Sequence, residues 1–284
     1  MIVGIRSWRH VGDSMFLTGA VRNIRLQHPA IKFRFCGREE YYDIFKHNED
    51  WVWDDGFDVE LPLVSYGTRY EESKALKGTF IESYTKTIYT ALGIPPVPFL
   101  CRTPVFTLTD EEKAWGVANF AGKWLLNANC QSCSMSKWYP YWKPVAEGMV
   151  SMGLKVCQMG GKDARDISTN NITGIEDWRK KTNLRQFLSA VYACDGVVTP
   201  PSSIMNASAF FEKPCIVVMG CREPIEVSNY PNCMYIRGTC DHENCLAQKV
   251  TDCKHWKDGA QCQHSIHPNV VLKHIKYALE QLKR

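Results

Sequence analysis

The apolar positions of this chain follow two alternating rhythms from the first residue onward. "MIVGI" is a continuous apolar run with the length of a buried strand. "RSWRHVGDSM" reads as a loop, and "FLTGAVRNIRLQHP" repeats its apolar residues at helical spacing: Phe16, Ala20 and Ile24, with Leu17 and Val21. "IKFRFCG" is a second strand, which completes a βαβ unit. Shorter strands are expected at Trp51–Trp53 and Val59–Pro62. "GTFIESYTKTIYTALGI" is a helix ending at Gly93. The Pro-rich "PPVPFLCRTPVF" cannot be helix interior, because proline has no amide proton to donate, so a linker is expected there.

The pattern then restarts. "TDEEKAWGVANFA" opens with a capping signal, Thr109 followed by Glu112. "KWLLNAN" is a strand, "CQSCSMSKWYPYW" a loop, "KPVAEGMVSMG" a helix and "LKVCQMGG" the next strand. "NLRQFLSAVYAC" is a helix with Leu184, Phe187, Leu188 and Val191 on one face. "GVVT", a small-residue helix and "CIVVMG" close a third βαβ unit. A polar, Cys-rich segment leads to a last helix from Pro268, carrying Val270, Val271, Ile275, Leu279 and Leu282. Two successive halves of alternating strand and helix predict an α/β chain of two doubly wound, Rossmann-like domains facing a cleft. The expected boundaries are 1–104 for the N-terminal domain, 105–267 for the C-terminal domain, and 268–284 for a helix that packs back on the N-terminal domain.

Composition adds limits. The chain has 284 residues and 45% hydrophobic residues, enough for a substantial core. No apolar run approaches the ~20 residues of a membrane-spanning helix. The opening strand is not preceded by a basic region, so no secretory leader and a cytoplasmic location are expected. A net charge of +4 suits an anionic ligand without requiring one. Thirteen cysteines are many. Cys36, Cys157, Cys194 and Cys215 lie in or beside strand-like runs and read as buried reduced thiols. Cys240, Cys245, Cys253 and Cys262 crowd a polar tail with His242, His255 and His264, but their irregular spacing lacks the C-x-x-C pairs of a zinc site, so no metal is expected.

Candidate chemistry sits where strands end. Between "GVVT" and the small-residue helix stands Pro200-Pro201-Ser202-Ser203. A helix starting there points unpaired N–H groups and hydroxyls at the carboxyl end of a strand, which suits a phosphate. The ordinary reading is a stiff turn with a serine N-cap. Asp13, after Gly12, is either an N-cap or a carboxylate positioned as a general base. Its loop lacks the G-x-G-x-x-G spacing of a dinucleotide site. Ser134, Ser136 and Lys137 form a candidate phosphate clamp or a solvated loop. Gly160 and Gly161 end a strand and allow close backbone approach, with Asp163 placed to take ribose hydroxyls; a plain turn is the alternative.

These segments together resemble the bacterial heptosyltransferase group, glycosyltransferase family 9. "HVGDSMFLTGAVRNIRLQHPAIKFRF" is similar to the family's opening, "SKWYPYWKPVAEGMVSMGLKVCQMGG" to its donor-domain entry, and "NLRQFLSAVYACDGVVTPPSSIMNASAFFEKPCIVVMG" to the segment that holds the nucleotide diphosphate. The stretch from Phe45 to Ser83 matches poorly. Where the family writes Asp, Thr or Ser, Gly and then His, this chain has Pro201, Ser202, Ser203 and Asn206. The resemblance implies a GT-B fold and an inverting, metal-independent transfer from a nucleotide-diphosphate sugar, with no other cofactor. Asp13 is the expected base, flanked on the acceptor side by Arg9, His10 and Gly12, and the donor is met by Lys137, Ser202, Ser203 and Asn206. The family's acceptor is a lipopolysaccharide-type glycan. The alternatives are a hydroxymethylated base in phage DNA, on which Trp8 beside Arg6 and Arg9 would stack, and a nucleotide-sugar binding protein without activity.

Overall fold

A computed structural model describes residues 1–6, 10–53, 56–62, 78–128, 137–161, 174–241, 245, 253–255 and 260–282. The chain divides into two compact units: Met1–Glu112 with Glu226–Tyr230, and Lys113–Ile225 with Pro231–Arg284.

In the first unit, β1 (Ile2–Arg6) lies between β2 (Lys32–Phe35) and β3 (Val59–Pro62), all parallel. The chain steps from β1 to one side and then to the other, so strand order reverses at β1. Helix α1 (Val11–Gln27) follows β1 and begins inside the segment expected to be loop. Its first turn carries Asp13, and a carboxylate there is favoured by the unpaired N–H groups of a helix start. Of the Trp51–Trp53 strand only an isolated bridge from Trp51 to Phe33 forms. Helix α2 (Phe80–Ala91) starts with a reciprocal capping box between Thr79 and Glu82. It ends as expected at Gly93, whose φ of +65° lets the amides of Gly93 and Ile94 turn back to the carbonyls of Thr90 and Tyr89. Phe16 meets Phe80 at 5.3 Å and Tyr84 at 6.4 Å, which seats α2 on α1.

The Pro-rich stretch expected to be a linker is bound to the first unit instead. The Asn23 amide donates to Thr85 and to the carbonyl of Cys101, and its oxygen accepts from the Cys101 amide. Val105 is held at both ends of its peptide, its amide donating to Thr18 and its carbonyl accepting from Asn48. Gly19 is required by this approach, since a Cβ there would stand 2.4 Å from the carbonyl of Thr103. These buried side-chain bonds carry the first unit past residue 104 to Glu112.

Helix α3 (Asp110–Phe120) starts with the expected Thr109–Glu112 box. The second unit is a six-stranded parallel sheet made of β4 (Lys123–Leu126), β5 (Lys155–Gln158), β6 (Glu176–Asp177), β7 (Gly196–Thr199), β8 (Cys215–Met219) and β9 (Cys233–Arg237). Their order is β6-β5-β4-β7-β8-β9. Chain order therefore reverses between β4 and β7, the place where doubly wound sheets bind ligands. Helices α4 (Trp142–Ser151), α5 (Leu184–Ala193), α6 (Ser203–Phe210) and α8 (Pro268–Leu282), with the single turn α7 (Gln261–His264), complete the unit. β6 is Glu-Asp and carries no apolar residue, whereas β9, CMYIR, is apolar but lies inside the segment read as polar and Cys-rich.

The core on one face gathers Trp124, Trp142, Met149, Val156, Ile216 and Ile275. Gly148 on α4 lets α8 lie close, as a Cβ there would be 2.5 Å from Leu272. Helix α8 clusters with the second unit. Its buried stripe is Val271, Ile275 and Ala278, while Val270 and Leu282 are exposed. Among the described residues no helix is long and apolar enough to cross a membrane.

Candidate functional site

At the carboxyl end of β1, Asp13 is the third residue of α1, so it is not the N-cap. That position belongs to His10, which is exposed and makes no side-chain cap hydrogen bond. Asp13 is buried at 8% exposure and accepts a hydrogen bond from the Tyr84 hydroxyl at 3.4 Å. Gly12 is half-buried beside it. Arg9 and Trp8 lie outside the described residues. Asp13 is thus a buried carboxylate in the first turn of α1, after the strand at which the first sheet reverses.

In the second unit, residues from β4, β7 and β8 converge at the reversal point. Asn127, directly after β4, donates its amide to Thr199 Oγ1 at 3.2 Å and to Ser202 Oγ at 3.1 Å. Thr199 directs its own proton to the carbonyl of Pro200 at 2.8 Å. The Ser202 hydroxyl, 2.8 Å from Thr199 Oγ1, is therefore the donor in that pair. Ser202 occupies the N-cap position of α6, but the expected side-chain cap bond is not made. Its hydroxyl bonds Thr199 and Asn127 instead, which locks the loop.

The groups left at this helix start are the first-turn N–H donors that any helix leaves without an intrahelical partner, and the half-buried Ser203. Pro200 and Pro201 supply no N–H of their own. Asn206 is buried on the same helix.

Lys137 reaches the same loop. Its ammonium stands 3.2 Å from the carbonyl of Pro201 and 3.2 Å from Glu223, with its side chain 18% exposed. Glu223, four residues past the end of β8, is buried and also pairs with Arg222. Sequence reading missed Asn127, Thr199 and Glu223; the only signal for the last was a charged Arg-Glu pair at a strand end. Ser134, Ser136 and Asp163 lie outside the described residues. Gly160 is half-buried and its carbonyl accepts from the Lys180 amide, whereas a Cβ on exposed Gly161 would meet nothing within 4 Å.

A second cluster lies beyond β8 and β9. Cys221, Ala260 and Cys262 form a small buried group with Cys240 and Cys253 packed against it. Burial pushes the Cys262 thiol up to about 11; the Cys221 N–H pointing at it works against this, while Cys221, Cys240 and Cys253 add to the rise. Beside them, Cys240, Asp241 and His255 bring one ligand atom each within 4.8 Å of one another. The irregular spacing that argued against a metal thus does not keep these side chains apart. Cys221, which lay outside the expected tail set, joins them.

Two doubly wound units, each with its candidate residues at the strand where order reverses, define the architecture of two-domain GT-B proteins. No family model matches the sequence, and no curated protein matches it. Solved structures do. The ADP-heptose lps heptosyltransferase II of E. coli superposes with a TM-score of 0.72 over 100% of both chains at 14% identity. A glycosyl transferase family 9 protein from Veillonella parvula gives 0.73 over 99% of this chain and 97% of its own at 13% identity. The dodecameric iron-containing heptosyltransferase TibC, solved with ADP-D-beta-D-heptose, gives 0.71 over 99% of this chain and 76% of its own at 12% identity. The chain has the fold of these proteins.

Proposed function

We propose that this protein is a glycosyltransferase that moves a sugar from a nucleotide-diphosphate sugar to an acceptor hydroxyl. The observation that carries the reading is the interlocked set at the reversal point of the second sheet. There Asn127, Thr199 and Ser202 fix a loop whose following helix presents N–H donors, and Lys137 stands beside it. The diphosphate lies against the start of α6, where the helix dipole and Lys137 meet its charge. In the transfer, Asp13 takes the proton of the acceptor hydroxyl as that oxygen bonds to the anomeric carbon. The bond from that carbon to the diphosphate breaks, and its electron pair leaves on the diphosphate oxygen. The α6 start and Lys137 stabilise this growing charge, the larger expected contribution; the base supplies about 10²–10⁴-fold. One displacement of this kind inverts the anomeric centre and needs no metal at the reacting atoms. The acceptor class that the resemblance supports is a glycan of the lipopolysaccharide-core type, and the site of action the cytoplasm.

The test is a thermal-shift and turnover screen of the full chain against nucleoside diphosphates and their sugars. A matching donor at 100-fold over its Kd adds about 2.7 kcal/mol of stability, and Asp13→Asn keeps that shift while losing transfer. No shift with any nucleoside diphosphate overturns the proposal. A shift with no transfer to any glycan or to hydroxymethylated DNA reduces it to a binding protein.

A further inference from the structure

A carboxylate is an unexpected neighbour for a loop that is to meet a diphosphate, yet Glu223 stands beside it. Glu223 Oε1 is 3.2 Å from the Lys137 ammonium and is also paired with the Arg222 guanidinium. Glu223 and Arg222 are both buried, and the Lys137 side chain is only 18% exposed. Two cations thus share one carboxylate where water screens charge weakly. The transfer steps described above give that carboxylate no part.

Glu223 is carried by a stretch of chain that is itself pinned. The Gly238 amide donates to the carbonyl of Met219 at 2.9 Å, and the Cys221 thiol donates to the carbonyl of Gly238 at 3.0 Å. The residues after β8 are therefore fastened to the end of β9. Pro224 follows Glu223 and disfavours a helical backbone for it. Lys137 has its second anchor on the opposite partner, the carbonyl of Pro201 at 3.2 Å, directly before the N-cap residue of α6. The ammonium is held between the turn after β8 and the start of α6.

We propose that Glu223 is a positioning residue, which fixes the Lys137 ammonium at the start of α6 before the donor arrives. This role rests on the donor site proposed above. A lysine is a point charge on a flexible four-carbon stem. Left untethered, it still follows an anion that is already bound, but it has to be ordered again as charge grows on the leaving oxygen. A positive charge already in place stabilises that growth without reorganisation. The carboxylate also repels the diphosphate, so in donor binding its removal loses the hold and the repulsion together, and the two oppose each other. In the transition state the contact with Lys137 is at its strongest, and there the hold counts for more. Arg222 keeps the carboxylate ionised and in place, since a buried charge without a partner is costly.

The experiment is a double-mutant cycle on the full chain with Glu223→Gln, Lys137→Ala and both together. Affinity is read with ADP, GDP and UDP by calorimetry. Turnover is read as release of the bound nucleoside diphosphate from its sugar, to the acceptor found in the screen above or to water. Glu223→Gln should lower kcat about tenfold while changing the diphosphate Kd by less than about threefold. With Lys137→Ala already present, the same change should lower kcat by less than about twofold, because the group it held is gone. Glu147→Gln, which breaks an exposed 3.9 Å pair with Lys143 on α4, should leave kcat and Kd unchanged. A carboxylate that serves only the fold gives the same loss in both backgrounds, and that additive result overturns the proposal. Unchanged kcat in Glu223→Gln, or kcat and affinity falling in equal measure, overturns it as well. Should Glu223→Gln fail to fold because Arg222 is left buried without its carboxylate, Arg222→Gln combined with Glu223→Gln removes both charges and enters the same cycle. Failure of the donor site itself looks different: the wild-type chain then binds none of the three nucleoside diphosphates. Wild-type binding without any release also overturns the positioning role, which then has no reaction to serve.

Discussion

The turn after β1 and the turn after β7 have the same local form, a parallel strand running into a helix at the point where its sheet reverses order. Their chemistry is opposite. At the first, a buried carboxylate, Asp13, stands inside the helix's first turn. At the second, prolines and serines bring no charge, and Lys137 stands beside them, 3.2 Å from a Glu223 that also pairs with Arg222. The positive end of a helix dipole attracts an anion at either place. Asp13 already supplies that anion in the first unit, so a phosphate is repelled there. In the second unit the proposed transfer puts the diphosphate at that end. The contrast with α2 and α5 points the same way: both of those helices start with complete capping boxes, Thr79 with Glu82 and Asn183 with Gln186, and neither is a candidate site. In the proposed transfer, one fold element repeated twice serves a base in one unit and a diphosphate in the other.

The most damaging change to this contrast is Asp13→Asn. It keeps the shape and the Tyr84 partner but cannot accept a proton. Turnover should fall about 100-fold or more with nucleotide-diphosphate affinity unchanged, read from initial rates and from binding isotherms. Normal turnover would remove Asp13 from the chemistry.

Next in size is a transplant of the first unit's pattern into the second. Ser203→Asp puts a carboxylate in the first turn of α6. Diphosphate binding should weaken about tenfold or more, while the melting temperature holds or rises slightly because the helix dipole welcomes the new charge. Unchanged affinity by titration calorimetry would place the diphosphate elsewhere. Lys137→Ala tests the other half of the same charge balance. Loss of a charge-assisted contact of about 1.5–3 kcal/mol should weaken binding roughly tenfold or more.

Ser202→Ala separates lock from ligand. It removes the hydroxyl shared by Thr199 and Asn127, so the cost should appear mainly as stability: about 1–3 kcal/mol, or a fall of several degrees in melting temperature for a unit of this size. Affinity should drop less than in Lys137→Ala. A larger loss of affinity than of stability would return the Ser202 hydroxyl to the ligand. The smallest effect belongs to Tyr84→Phe, which deletes one long hydrogen bond to Asp13. Turnover should change by less than about fivefold, read from initial rates.

Much of this was legible along the chain, for physical reasons that differ by residue. Thr79 and Thr109 announce helix starts because a capping box is made within four successive residues. Gly93 announces a helix end because few other residues adopt its left-handed backbone. Lys137 and Ser203 stood out because charged and small polar residues interrupt an apolar rhythm at a strand end. Asn127 and Glu223 did not stand out, because their meaning lies in partners 75 and 86 positions away: Asn127 reaches Ser202 and Glu223 reaches Lys137. Asp13 was placed in a loop, since a helix start without a side-chain cap leaves no local signature. The Pro-rich 94–108 stretch looked like a linker because its polar anchors, Asn23, Thr18 and Asn48, lie on other elements.

The sequence by itself determined the alternation of strand and helix, the two-fold restart of that alternation, and the small-residue, proline-stiffened turn at the end of β7. These are properties of neighbouring residues, set by periodicity, by the missing proline amide and by capping geometry. Only the tertiary structure decided which strand ends meet, that the Ser202 hydroxyl bonds Thr199 and Asn127, and that Cys221 packs with Cys240, Cys253 and Cys262. Those outcomes depend on strand order in a parallel sheet. Every crossover there spans tens of residues, and no local pattern records which edge the next strand takes.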